Sequence, residues 1–195
     1  LLMPMAYKVR TATLPLLPKR ASDIRILHFS DLHLTPNKKR EIADIKSFIK
    51  LKPDLVISTG DFLAHRDAIE TTLNSLHILL DVPGLYVFGS NDYYAPRFKN
   101  PLKYLQKDGG TRKLGAKLPT ILLDRELSHR GWLNLNNVRS SIKLNGIDID
   151  IRGTDDAHLE LDDYSTVQGK PKGDLSIGVT HAPYLRILDA MSKDN

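Results

Sequence analysis

Four short polar clusters hold the residues of this sequence best suited to chemistry: Asp31-Leu32-His33, Gly60-Asp61, Gly89-Ser90-Asn91-Asp92 and Thr180-His181. Carboxylate, amide and imidazole donors without thiolate suit manganese, iron or zinc, often as two ions bridged by one carboxylate. The chain has no cysteine, so disulfides and zinc–thiolate sites are excluded. Asp31, Asp61 and Asn91 fall thirty residues apart, about the length of one β-α-β unit. Singly these pieces are weak, since Asp-x-His arises by chance and Gly-Asp is a common turn. Four in order, each directly after an apolar run, form a stronger signal. Neither a Gly-rich phosphate loop nor a Ser-His-Asp order is present.

Bringing the clusters together requires strands that end where each cluster begins. Ile24–Phe29 is a β-rich apolar run that leads into Ser30-Asp31. Ile42, Ile45, Phe48 and Ile49 then share one helical face, and Pro53 closes that helix. Leu55–Ile57 predicts the next strand, which delivers Thr59-Gly60-Asp61. Ile69, Leu73, Leu76 and Leu80 mark a second amphipathic helix, with Asp67 as its expected cap. Pro83-Gly84 breaks it, and Leu85–Phe88 predicts a third strand.

Short apolar strands alternating with helices predict an α/β fold whose β-α-β units form a largely parallel sheet, covered on both faces. The carboxyl edge of such a sheet is where ligands bind, and all three acid or amide residues fall there. Gly60 and Gly89 are read as residues that let the backbone turn tightly at strand ends.

Beyond Pro96 the sequence predicts a surface segment to Pro119 with a short helix near 102–106, then a helix over 122–130. Asn145-Gly146 joins the alternating runs Val138–Leu144 and Ile147–Arg152 as a hairpin. Leu175–Val179 predicts the strand that carries His181, and Tyr184–Met191 a closing helix. An edge strand is expected around Met5–Thr13, followed by a proline-punctuated connector, Leu14–Pro18.

At this point the chain resembles the calcineurin-like metallophosphoesterase superfamily. His28-Phe-Ser-Asp-Leu-His-Leu34 is similar to its first motif and Ile57-Ser-Thr-Gly-Asp61 to its second. Val87-Phe-Gly-Ser-Asn-Asp-Tyr-Tyr94 resembles the third motif and Gly178-Val-Thr-His-Ala-Pro183 the fourth. The resemblance implies a two-sheet sandwich flanked by helices and a centre of two divalent or trivalent ions (Mn, Fe or Zn) that hydrolyses phosphoesters. It places Asp31 and His33 on one metal, Asp61 as the bridge, and Asn91 and His181 on the other. Asp92, following the ligand asparagine, would assist the leaving group.

Two departures stand out. The third motif reads Gly-Ser-Asn-Asp, so Ser90 rather than Asn91 falls at the ligand position in the other register; serine is a poor ligand, and Asn91 is preferred. The family's fifth motif, Gly-His-x-His, is absent from the 195 residues. The chain opens on Leu1 and ends without a helix stop signal, so the domain is expected to be C-terminally truncated. A catalytically defective fragment, acting at most as a metal- or phosphate-binding module, is the alternative.

Other polar residues have competing readings. His28, inside the first strand, is expected to be buried or bonded to backbone. His65 and Arg97 are candidate substrate contacts, and Tyr93 and Tyr94 flank the third motif. Asp155, Asp156 and His158 read as a surface turn, with substrate contact or support of the metal ligands as the alternative.

The net charge is +5, but most of the excess lies in the first 25 residues, at Lys8, Arg10, Lys19, Arg20 and Arg25. Residues 1–20 are therefore read as a basic segment before a phosphoesterase domain over 21–195, with no specific nucleic-acid signal. A cytoplasmic address is expected, with membrane proximity as the alternative should an anchor precede Leu1.

Overall fold

The computed structural model describes residues 7–96 and 114–194. The helix expected near 102–106, and Arg97, lie outside the described residues. Strands β1 (Ile26–Phe29), β2 (Leu55–Ser58), β3 (Gly84–Tyr86) and β4 (Leu133–Asn134) form one sheet in that order, every pair parallel. A second sheet holds β5 (Arg139–Leu144), β6 (Ile147–Gly153) and β7 (Leu175–Val179), with β5 antiparallel and β7 parallel to β6. Helices α1 (Lys39–Ser47) and α2 (Ile69–Leu76) connect the first three strands, and α3 (Ser90–Tyr93) and α4 (Thr120–His129) lie between β3 and β4. Helix α5 (Leu185–Lys193) follows β7.

Strand periodicity explains how the first sheet is covered. Phe29, Val56 and Tyr86 point to one core with Ile45, Leu76 and Leu123 of the helices. Leu55, Ile57, Leu85 and Val87 point the other way, onto Ile147, Ile149, Ile151 and Val179 of the second sheet. Consecutive apolar residues in β2 and β3 thus feed two cores, which is why these strands read as unbroken apolar runs. The layers run helices, parallel sheet, mixed sheet. On the second sheet, the Met191 sulfur sits where a Cβ on Gly178 would meet it at 2.7 Å, so α5 packs over β7.

Most predicted elements form near their expected bounds, and four details differ. Residues 7–13 form no strand; Tyr7 instead packs edge-on against Phe48 at 6.0 Å, a contact that periodicity cannot reveal. Asp67 does not cap α2: Ala68 occupies the N-cap without a side-chain bond, and the Asp67 N–H is turned toward His65 Nδ1 at 3.2 Å. Strand β3 stops at Tyr86, because the Phe88 N–H goes to Asn136 Oδ1 at 2.9 Å rather than to the sheet. The two-residue β4 was not foreseen; it is too short to show alternation.

The hairpin between β5 and β6 closes as expected. Asn145 (φ 50°) and Gly146 (φ 82°) both take left-handed conformations, as a tight two-residue turn requires. No helix among the described residues is long and apolar enough to cross a membrane.

Candidate metal centre

The loops after β1 and β2 are laced together by backbone bonds. The N–H of Asp31 donates to the Gly60 carbonyl at 3.0 Å, that of His33 to Asp61 at 2.9 Å, and that of Leu34 to Phe62 at 2.8 Å. Leu32, Leu34, Phe62 and Leu63 are buried beneath this ladder, so the alternate residues Asp31 and His33 face outward. Asp31 (φ 57°), His33 (φ 43°) and Asp61 (φ 56°) all adopt left-handed backbone. Such conformations are uncommon in non-glycine residues and persist where the surroundings over-determine them.

The result is a compact donor group. One ligand atom from each of Asp31, His33 and Asp61 lies within 4.8 Å of the others. His33 Nε2 is 3.5 Å from Asp31 Oδ1 and 3.7 Å from Asp61 Oδ2. His181 Nε2 also stands 3.7 Å from the same Asp61 Oδ2. Asn91 approaches too, its Nδ2 donating to Asp61 Oδ2 at 2.7 Å and its N–H to Asp61 Oδ1 at 2.8 Å. The other four sequence-nominated donors therefore gather around the Asp61 carboxylate.

The chemistry of this set fits a cation. His181 Nδ1 lies 2.6 Å from the Thr59 carbonyl, which can only accept. Nδ1 therefore carries a proton, and in the neutral imidazole the Nε2 lone pair faces Asp61. That is the tautomer a metal needs. Among the described residues, only imidazoles come within ion-pair distance of buried Asp61, so no fixed Lys or Arg occupies the position a cation would take. Asp31, the most exposed member, marks the open side of the group.

Asp92 lies beneath this group rather than in it. It is fully buried, and it accepts the N–H groups of Asp61 (2.7 Å), Gly89 (3.1 Å) and Leu63 (3.1 Å). Burial pushes its carboxyl up to about 7, against the pull of those three donors. Both of its oxygens are thus taken up by backbone donors. Asn91, one residue earlier, is the member of the motif that reaches the donor group, and Ser90 is buried.

The two glycines work differently from one another. Gly60 turns with φ 94°. Gly89 has an ordinary extended backbone (φ −108°). Its requirement is space: a Cβ there would collide with Asp61 Oδ1 and come within 2.6 Å of the His181 ring.

The second sheet delivers His181 and its surroundings. Parallel pairing of Gly153 with Val179 sets the tails of β6 and β7 side by side. Tyr93 donates to Asp155 Oδ1 at 2.7 Å and accepts from Asn136 Nδ2 at 3.0 Å, tying α3 to the end of β6. Burial, and then the Asp155 carboxylate, raise the Tyr93 phenol well above its usual value. Asp155 and Asp156 are themselves raised, burial being the main cause in both. The Asp155–His158 stretch is thus no simple surface turn: Asp156 is buried, and only His158 is exposed. The sequence showed these as polar residues after a strand; their burial came from the sheet pairing.

The sequence profile of the calcineurin-like phosphoesterases matches residues 24–194. The chain belongs to that family. Among curated proteins, none matches the chain. Membership gives the donor group its meaning: Asp31, His33 and Asp61 form a candidate metal site of a phosphoesterase fold.

The remaining candidates sit elsewhere. His65 is exposed and engages its own turn, 3.7 Å from Asp67 Oδ2. His28 is exposed, not buried, and its Nε2 pairs with Thr59 Oγ1 at 3.0 Å rather than with backbone; an edge position in β1 leaves it outside the cores. None of the five donors lines the hollows of about 600 and 400 Å³ found among the described residues, the smaller of which is lined by Phe88, Tyr93 and Asn136.

Proposed function

We propose that this chain is a metal-dependent hydrolase of phosphoester bonds whose centre holds two cations about Asp61. The observation that supports it best is the convergence of His33 and His181 on one oxygen of that buried carboxylate, each 3.7 Å away. Asp31 and His33 would hold one ion, Asn91 and His181 the other, with Asp61 shared. Manganese, iron or zinc suits this oxygen and imidazole set. Cations bound here would withdraw charge from phosphoryl oxygens and make a water acidic enough to attack phosphorus.

The chain's own residues supply position and proton bookkeeping. The Thr59 carbonyl fixes the His181 tautomer. Asp92 clamps the Asp61 and Leu63 amides and so aims the bridging carboxylate; this is the role we assign it, in place of direct help to the leaving group. The Asn91 amide, now donating to Asp61, would turn its carbonyl oxygen to a cation when one binds. We read residues 21–195 as the phosphoesterase domain and residues 1–20 as a basic lead.

The test is hydrolysis of a panel of phosphomonoesters and phosphodiesters by the chain saturated with Mn(II). Activity is expected, and Asp61→Ala should reduce it by at least about a hundredfold. Mn(II) uptake with no hydrolysis of any ester, in the wild type, would reduce the chain to a metal- or phosphate-binding module.

A further inference from the structure

Asp156 is a buried carboxylate on the segment after β6, which is bonded to the segment that carries His181, and one of its oxygens is unused. Thr154 Oγ1 bonds Thr180 Oγ1 at 3.0 Å, holding the tail after β6 against the tail that carries His181. Asp156 Oδ1 accepts the Leu159 N–H at 2.7 Å and caps the short 3₁₀ turn over 157–159. The residue is fully buried, and its Oδ2 has no hydrogen-bond partner among the described residues. Burial raises its carboxyl, Asp61 adds to that, and His181 and His158 act to lower it.

A cap needs only one oxygen, which serine or asparagine supplies without a charge. A buried carboxylate with a free oxygen, near a second buried carboxylate, is unfavourable unless a positive charge compensates it. Asp156 is not part of the compact group formed by Asp31, His33 and Asp61, and one of its oxygens is committed to the Leu159 N–H. Carboxylates one layer out from the ligands tune metal affinity in such centres.

We propose that Asp156 is an outer carboxylate of the metal centre, a positioning residue that favours a cation on the His181 side of Asp61. The inference rests on the reading of the site as a metal centre.

Asp156→Asn keeps the volume and the capping oxygen and removes only the charge. Mn(II) is titrated calorimetrically into the metal-free 195-residue chain, with Mn(II) electron paramagnetic resonance to count bound ions. In Asp156→Asn, at least one binding step should weaken about tenfold or more. Its metal-free melting temperature should equal or exceed that of the wild type, since an uncompensated carboxylate is gone. Asp156→Ala, which also loses the cap, should lower that temperature. Unchanged Mn(II) affinity in Asp156→Asn overturns the inference and leaves the metal centre standing. No Mn(II) uptake by the wild type overturns both.

Discussion

At the residue scale, the centre is built from side chains whose freedom has been removed by bonds to backbone. His181 has its tautomer set by the Thr59 carbonyl, Asp61 has its loop held by Asp92, and Asn91 is bound through both its N–H and its amide. Gly89 shows how little room remains. Its φ of −108° suits alanine, so Gly89→Ala carries no backbone penalty, yet the new methyl would press on Asp61 and His181. The expected outcome is loss of Mn(II) binding by at least about tenfold while the far-ultraviolet circular dichroism stays native. A collapsed spectrum would instead make Gly89 a requirement of the fold.

At the element scale, the donors come from two sheets, so the site depends on their packing. Beyond the apolar core, a charge network braces the second sheet. Arg139 pairs with Asp150 through Nε at 3.0 Å, and Arg152 Nη2 reaches the same carboxylate at 3.3 Å. Arg152 also bonds Asp194, just past α5, at 2.9 Å. Burial alone would raise Asp150, but the Arg139 bonds, the Lys172 N–H and Arg152 outweigh it and hold its carboxyl below the usual range. A depressed folded-state pKa means that stability is present above the unfolded carboxylate value of about 3.9 and is lost as pH falls through the folded one. Thermal unfolding should therefore soften below about pH 4, and Asp150→Asn should remove its share of that slope. The same variant should be less stable at pH 7, because it leaves Arg139 without its anion and Arg152 with Asp194 alone.

At the scale of the whole molecule, five donors from strand ends far apart in sequence meet only when both sheets are assembled. On the proposed reading, folding and metal binding are linked: ions would bind the native arrangement and not the unfolded chain. Mn(II) at about a hundredfold above its Kd would add about 2.7 kcal/mol. For a chain of this size that is a rise of roughly 5–10 °C in Tm, reversed by a chelator. A Tm indifferent to Mn(II) would sink the metal reading for the folded chain. The basic residues Lys8, Arg10, Lys19 and Arg20 lie exposed ahead of β1, away from this linkage.

The sequence by itself determined most of the strands, the order of the motifs and which residues gather about Asp61. Strand ends are local facts: apolar runs, punctuating Pro and Gly, and the polar residues that follow them can be read from neighbours alone. The convergence of Asp31, Asp61 and Asn91 was legible for the same reason, since equal spacing through β-α-β units leaves few alternatives. Tertiary structure decided which oxygen or nitrogen of each residue faces inward. It turned Asp92 under the site, set the His181 tautomer, buried Asp156 and exposed His28. Those outcomes depend on which buried N–H groups need an acceptor, and on how two sheets pair at their edges. Neither quantity is local to any stretch of the chain.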